Sequence, residues 1–577
     1  MIILSLKSNQ ESFRTVTFNR GFNLILAERT KESNRQDSRN GLGKSSLIYI
    51  IRFCLGSNLN KALNIDELTD WRFTLEIELQ GKIYFFSRTV KEPTKIYIDG
   101  DCSQWPVRPD SSDGFQSIAP SDLSKNLGIV IFGINPNEDS LKYLPTFGSA
   151  RGYFIRNSDD GGYLEPFKNF SSQLEWDKQV NNAFLLGLDW TYASRWQSLK
   201  DREKKLKQFV SVVQEMQGHI GELEAKRIRL DNELQKQESD IKNFQVHPKY
   251  KQIESDASSI TRRIHKLADE NFTDKGLLEY YRESLIEERD PGITSVLDMY
   301  KELGVIMPEN IEKRIEDVST FHSNIIVNRK DFLDSEIQKI EARIAERDTQ
   351  KAQLDVERKQ LMQVLSTHGA LDEYNAIQNT LLKLREEYSE IVFKIDSLQK
   401  FEQEQSDIKI EKENLYKEAR VSLSERLAAR EMAVEFFNSN SQVLYNSPGT
   451  LSLDVSKNGY TFKISIEREG SHGVNNMNIL CYDLTLAKIW KAQGSQFPLI
   501  HDSILFADVD ERQIASALQL VAKETEQGDF QYICTLNSDT VPMKDFSDGF
   551  DINKYVVMTL TDKEPRGGLF GVRFSKK

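Results

Sequence analysis

The sequence predicts an α/β head assembled from both ends of the chain, with a long antiparallel coiled coil inserted between them. Three observations carry this. A glycine-rich loop sits between an apolar strand and a helix near the N-terminus, heptads run through the middle, and an apolar strand near the C-terminus ends in an aspartate. Each end alone holds half of a phosphate and metal site, so the two ends are expected to fold together. The expected parts are residues 1–190 (first lobe of the head), 191–437 (helical insertion) and 438–577 (second lobe).

The first lobe opens with short strand candidates at Ile2–Leu6, Thr15–Phe18 and Phe22–Leu26. The loop Ser38-Arg39-Asn40-Gly41-Leu42-Gly43-Lys44-Ser45-Ser46 follows, and a helix is expected from about Lys44 to Gly56. Residues 73–79 alternate apolar and polar with period two. With 82–88 and 95–98 they read as an antiparallel meander broken at Gly81 and Pro93. Leu123–Phe132 and Tyr163–Leu188 read mostly as helix with connecting loops.

From Leu199 the pattern changes. Positions 199, 206, 213, 220, 227, 234 and 241, with 202, 209, 216, 223, 230, 237 and 244, are apolar in eleven of fourteen cases. A register held that long predicts a coiled coil roughly 70 Å in length. His247-Pro248 breaks it. A second helical stretch covers about Tyr250–Glu288, and heptads resume from Leu333 through Ile337, Ile340, Ile344, Leu354, Leu361 and Leu365. Charged helix then continues to about Phe437. Two heptad stretches separated by breaks predict an antiparallel pair that runs out and returns.

At Ser447-Pro448-Gly449 the helices stop. A hairpin around Asn458-Gly459 is expected, then a helix at about Met477–Gln493, the strand Phe497–Ile500 leading to Asp502, a helix at Glu511–Gln527 and a strand at Asp529–Thr535.

Composition bounds the rest. The 577 residues carry a net charge of −12, with 28% charged residues and a mean hydropathy of −0.52. An acidic chain does not coat nucleic acid over its whole surface, so any such contact needs a local basic strip. Lys204-Lys205, Lys226-Arg227 and Arg262-Arg263 are candidates, and such pairs are equally the solvated faces of coiled coils. No apolar run of 18 or more residues exists, so no membrane helix is expected. The N-terminus reads as a strand, and the four cysteines have no paired spacing. Both point to a cytoplasmic protein without disulfides or zinc.

The glycine loop states its chemistry. Gly41 and Gly43 let backbone N–H groups approach phosphate oxygens at a helix N-terminus. Leu42 lies between them, Lys44 reaches the terminal phosphates, and Ser45, followed by Ser46, offers a hydroxyl to Mg²⁺. The usual first glycine of this motif is Ser38 here. Asp502 is placed to hold the same ion opposite Ser45. Ser471-His472-Gly473 precedes a helix whose amides would meet a γ-phosphate.

This order of motifs resembles the SMC, RecN and RecF class of ABC-type ATPases. Ser38–Ser45 follows that class's Gly-x-Asn-Gly-x-Gly-Lys-Ser, with Asn40 on its asparagine. Ser471 and Gly473 are similar to its signature, and Asp502 matches its Walker B aspartate. Asp508 or Asp510 would lie on its D-loop. The resemblance further implies that Arg14 touches nucleotide phosphates and that Asn537 stands where the class has its switch histidine. A narrower resemblance, carried by Phe321-His322, Asn328-Arg329, Ile500-His501-Asp502 and the helix through Gly473-Val474 and Asn478, is to the SMC-like ATPase component of prokaryotic ABC three-component systems.

The resemblance implies ATP and Mg²⁺ as cofactors, a homodimer paired through ATP-bound heads, DNA as a ligand, and a separate nuclease-type effector with an accessory subunit, in antiviral or anti-plasmid defence. Lys44, Asp502 and Asn537 would be its catalytic residues. Ser503 stands in the place of the class's catalytic glutamate, which implies slow turnover, with Asp508 or Glu511 as a displaced carboxylate. Arg151, Arg156 and Gln173 are alternatives for the class's metal-sensing glutamine. No Cys-x-x-Cys lies between the arms, so a zinc hook is not expected. About forty residues follow Asn537, which leaves an appended nuclease unexpected. Two other functions remain open on the sequence: a recombination or repair ATPase, and a scaffold that binds ATP structurally.

Overall fold

The computed structural model describes the chain except residues 29–40, 112–113, 135–140, 215–219, 244–247, 288–308, 366–370, 467–471, 527–529 and 573–577. It divides into two compact units. The first is Met1–Lys200 with Leu297–Asp317 and Glu411–Lys577, and the second is Asp201–Val296 with Val318–Ile410. The sequence placed the divisions at 190/191 and 437/438. The first unit takes in more of the returning helix because Leu415, Ala419, Leu423, Ala433 and Phe437 are buried in its core.

In the first unit, strands β1 (Ile2–Ser8), β2 (Val16–Thr17) and β3 (Phe22–Glu28) are followed by helix α1 (Lys44–Cys54). β4 (Arg72–Leu79), β5 (Lys82–Thr89), β6 (Ile96–Asp99) and β7 (Gln116–Ile118) join β1 and β2 in an antiparallel sheet of order β2-β1-β4-β5-β6-β7. The period-two alternation seen in the sequence is the inner face of this sheet: Phe73, Leu75, Ile77 and Phe86 are buried. Helices α2 (Pro120–Phe132), α3 (Phe147–Phe154) and α4 (Glu175–Leu185) follow.

Tyr163–Leu174 is turns and loop, not the helix expected there. The carbonyls of Pro166 and Lys168 in it, and of Gly162 just before it, accept from the buried Arg156 guanidinium. A side chain thus satisfies backbone groups that a helix would otherwise satisfy itself.

The chain leaves the first unit through α5 (Thr191–Gln214). The second unit holds α6 (Ile220–Asn243), α7 (Pro248–Glu287), most of α8 (Glu309–Leu365) and much of α9 (Leu371–Glu425). Residue pairing fixes their directions. Leu223 and Leu230 of α6 pack with Ile391 and Ile395 of α9, and Glu238 meets Arg385, so α6 and α9 are antiparallel. Asp274 of α7 takes Arg343 and Arg347 of α8 at 3.2 and 2.5 Å, and Asn271 meets Asp348; these two are also antiparallel. Ser258–Tyr374 and Phe272–Phe393 contacts set α7 parallel to α9.

The coil is therefore antiparallel, but it goes out and back twice. The two heptad stretches each find their main partner in a less regular helix. At their ends both contribute to one apolar cluster, in which Ile241 packs against the group formed by Ala257, Met362, Leu365 and Tyr374. Ion pairs and polar contacts supply the part of the α7 and α9 interfaces that a heptad count does not see.

Back in the first unit, α10 (Leu427–Tyr445) precedes the expected hairpin, β8 (Thr450–Ser456) and β9 (Gly459–Ser465), which turns at Lys457-Asn458 with Gly459 opening the second strand. Then come α11 (His472–Ala492), β10 (Leu499–His501), α12 (Glu511–Glu526), β11 (Tyr532–Asn537) and β12 (Val556–Thr561), the last not foreseen from the sequence. A parallel sheet of order β10-β11-β3-β12 places the N-terminal β3 between two C-terminal strands. Ile3, Leu24, Ile50, Leu480, Ile500 and Ile533 belong to a single buried core. Both ends of the chain thus build one α/β head.

Candidate functional site

The site lies at the C-terminal ends of three parallel strands, where ligands bind in open α/β sheets. Ile500 pairs with Ile533 and His501 with Cys534, while Asn537 pairs with Ala27 of β3. This register puts Asp502, Thr535, Asn537 and the start of α1 at one edge of the sheet.

Helix α1 begins with Gly43 in the left-handed region, φ 92°. A Cβ there would also lie 2.7 Å from Leu569 Cβ, so glycine is required both for the turn and for the close approach. The Leu42 carbonyl accepts from Leu569 N–H at 2.9 Å, which fastens the loop to the C-terminal segment. Lys44 is buried, and its ammonium donates to Asn537 Oδ1. Ser45 Oγ donates to Asp502 Oδ2 at 2.6 Å. Ser46 is half-buried in the first turn, and Gly41 is exposed.

Asp502 is held from several sides. Its Oδ1 accepts from Thr535 Oγ1 at 2.9 Å, from Ser503 N–H at 2.6 Å and from Ser503 Oγ at 3.1 Å. Its own N–H donates to the Tyr163 hydroxyl at 2.9 Å. One turn beyond Ser45 on the same helix face, the Tyr49 hydroxyl donates to Asp159. Burial first, and the nearby Asp159 and Asp502 carboxylates after it, push the Tyr49 phenol well above its ordinary range, so it stays a donor. Burial lowers the pKa of His501 against the pull of Asp483.

The donor set fits Mg²⁺. A hydroxyl and a carboxylate oxygen converge, both hard oxygen ligands, and phosphate oxygens and water would complete the octahedron. Among the described residues no three His, Cys, Asp or Glu side chains converge on a metal position, so a cation here would depend on the nucleotide for ligands.

Other sequence-predicted residues fall elsewhere. The Arg14 guanidinium donates to the carbonyls of Thr559 (2.7 Å) and Gly567 (3.0 Å), so the structure joins it to the C-terminal segment. Asn40 and Ser471 lie outside the described residues, as do the side chains of Phe321, His322, Asn328 and Arg329. Gly473 is buried, and a Cβ on it would sit 2.3 Å from the Asp508 carbonyl oxygen. Asp508 itself has φ 59°. Asp510 accepts the Arg512 N–H and Glu511 is exposed on α12.

Of the three metal-sensing alternatives, Gln173 donates to Asp177 and Arg151 to the Leu55 carbonyl. Arg156 is paired with Asp483. None of these contacts reaches Asp502. Sequence reasoning missed Tyr163, Thr535, Tyr49 and Asp159. Thr535 had one signal, its place at the end of a strand beside the Asp502 strand; the others had none.

Comparison with known proteins gives matches over parts of the chain. Residues 278–402 match the family model described as C-terminal domain 10 of the ABC-three component (ABC-3C) systems. Residues 440–574, which include Gly473, Asp502 and Asn537, match a family described as an uncharacterised protein conserved in bacteria, DUF2326. Over the full length of both chains the protein is 22% identical to the Bacillus subtilis (strain 168) protein YydD. Two solved structures align over most of the chain. One is an Smc head domain with a coiled coil and joint from Pyrococcus yayanosii (13% identity, 95% of this chain and 94% of that one, TM-score 0.35). The other is an Smc head domain from Pyrococcus furiosus with an extended coiled coil, bound to the C-terminal domain of ScpA (11% identity, 94% and 92%, TM-score 0.36).

Proposed function

We propose that the chain is an ATPase that binds ATP with Mg²⁺ between the α1 N-terminus and Asp502, pairs with a second copy through the bound nucleotide, and works in a multi-protein defence system. The observation that carries this is the meeting of Lys44 with Asn537 and of Ser45 with Asp502 at one sheet edge, from opposite ends of the sequence. In this reading Lys44 binds the terminal phosphates, and the Gly41–Ser45 amides cradle them. Ser45 and Asp502 hold the cation, which when bound offsets phosphate charge and orients the γ-phosphate. Asn40 and Ser46 complete the phosphate contacts, Arg14 fastens the C-terminal segment, and Ser471 and Gly473 serve the nucleotide of the partner head. Asn537 stays near the γ-phosphate.

Turnover is slow in this account. Ser503 cannot act as a carboxylate base, and its N–H and hydroxyl are both engaged by Asp502. Asp159, linked through Tyr49 to the Ser45 face of α1, is the carboxylate we favour for ordering water. DNA would meet exposed basic pairs such as Arg262-Arg263 on α7, and nucleotide-driven pairing would control a separate effector and accessory subunit.

The test is binding of a fluorescent ATP analogue with Mg²⁺, together with steady-state turnover. Wild type is expected to bind, and Lys44→Ala to lose at least about tenfold in affinity, of the order of a lost charged hydrogen bond. Equal binding by both proteins refutes the site, and turnover at tens per second refutes slow hydrolysis.

A further inference from the structure

Behind Asp502 lies a fully buried set of polar side chains that the proposed phosphate and metal contacts do not use. Its centre is Asp483 on α11, about 15 Å along the helix from Gly473 at 1.5 Å per residue. The Asp483 carboxylate accepts from Arg156 Nε at 2.5 Å and Nη2 at 2.7 Å, and His501 Nε2 lies 2.9 Å from its Oδ2. The Arg156, Asp483 and His501 side chains are all completely buried. The other ring nitrogen, Nδ1, is 3.0 Å from the Tyr532 hydroxyl. A carboxylate paired with a guanidinium only accepts, so Nε2 donates to Asp483 and the ring is held by a second hydrogen bond between Nδ1 and the Tyr532 hydroxyl. Each link of the chain from Arg156 to Tyr532 is then a matched donor and acceptor.

Three features connect this chain to Asp502. His501 precedes it on β10. Tyr532 stands on the strand whose Thr535 donates to the Asp502 carboxylate. Arg156 also gathers the loop carbonyls of Gly162, Pro166 and Lys168, each at 2.6 Å, and that loop carries the Tyr163 hydroxyl that accepts the Asp502 N–H. A buried ion pair is a poor source of stability compared with apolar packing. What this one supplies is fixed geometry between α11, β10, β11 and the loop.

We propose that Asp483, Arg156 and His501 are positioning residues that lock Asp502 in register with the helix carrying Gly473, so that the metal-binding carboxylate and the phosphate-reading end of that helix move as one body. The proposal rests on the ATP–Mg²⁺ reading of the site. None of the three residues touches the nucleotide; they act through Asp502.

The test uses the full chain with His501→Leu, His501→Gln and Tyr532→Phe. It measures the Mg²⁺ concentration that half-maximally enhances binding of a fluorescent ATP analogue, alongside the thermal midpoint. His501→Leu is expected to raise that concentration about tenfold, the usual effect of losing a residue that supports a metal ligand, and to leave Mg²⁺-free nucleotide binding within about twofold. His501→Gln retains a donor toward Asp483 and an acceptor toward Tyr532, and is expected to recover most of the loss. Tyr532→Phe removes one hydroxyl and gives a smaller shift in the same direction, which keeps the test alive if His501→Leu does not fold. A lower thermal midpoint with an unchanged Mg²⁺ response in the folded variants overturns the proposal and leaves the ATP site standing. A wild type that binds no ATP analogue overturns both.

Discussion

At the residue scale, the candidate site was legible where its residues lie in a contiguous motif. Gly41, Gly43, Lys44 and Ser45 share one short loop, and Asp502 ends an apolar strand, so both were found without coordinates. Tyr163, Thr535 and Asp159 were not, because their contacts with Asp502 or α1 come from segments whose sequences carry no motif. Gly473 illustrates a residue whose reason is steric. The Asp508 carbonyl occupies the space that a Cβ would take, and Asp508 is itself in a left-handed conformation that non-glycine residues adopt at a cost. Gly473→Ala is expected to force these backbones apart and to lower unfolding free energy by about 1–3 kcal/mol, as overpacking does. A denaturant titration reads this directly, and an unchanged midpoint would show that the two segments separate freely.

At the element scale, long registers were readable and their partners were not. Leu223, Leu230, Leu333, Ile337 and Ile340 are buried as their heptad positions require. The sequence paired the two heptad stretches with each other because only they repeat cleanly. Helices α7 and α9 complete the unit through Asp274, Asn271 and Tyr374 contacts, which have no seven-residue signature.

One of the buried groups of α7 makes this unit sensitive to acid. His265 is buried, and its Nε2 has no hydrogen-bond partner. Burial, and then Arg385 and Arg358, lower its pKa to about 4 from an unfolded value of about 6.5. The folded state therefore holds fewer protons than the unfolded state in this window. The stability associated with the neutral ring is complete above the unfolded pKa and is lost as pH falls toward and through about 4. Replacing His265 with Leu removes the titration. The thermal midpoint of His265→Leu relative to wild type is expected to rise as pH is lowered from 7 to 4, and a constant difference would contradict the assignment.

At the scale of the whole molecule, the head built from both ends was legible because each end carried half of one site. The strand β12 was missed, although Val556–Thr561 is rich in β-branched residues, because no motif drew attention beyond Asn537. Both sheet neighbours of β3, the strand that leads into the glycine loop, come from the C-terminal segment. The central claim is that this composite site binds ATP and thereby pairs two chains. The most direct measurement is mass in solution by light scattering, with and without ATP and Mg²⁺, for wild type and Lys44→Ala. The account predicts that wild type moves from monomer to dimer only with ATP and Mg²⁺, and that Lys44→Ala stays a monomer. A mass that does not respond to nucleotide, or a variant that dimerises as wild type does, would contradict it.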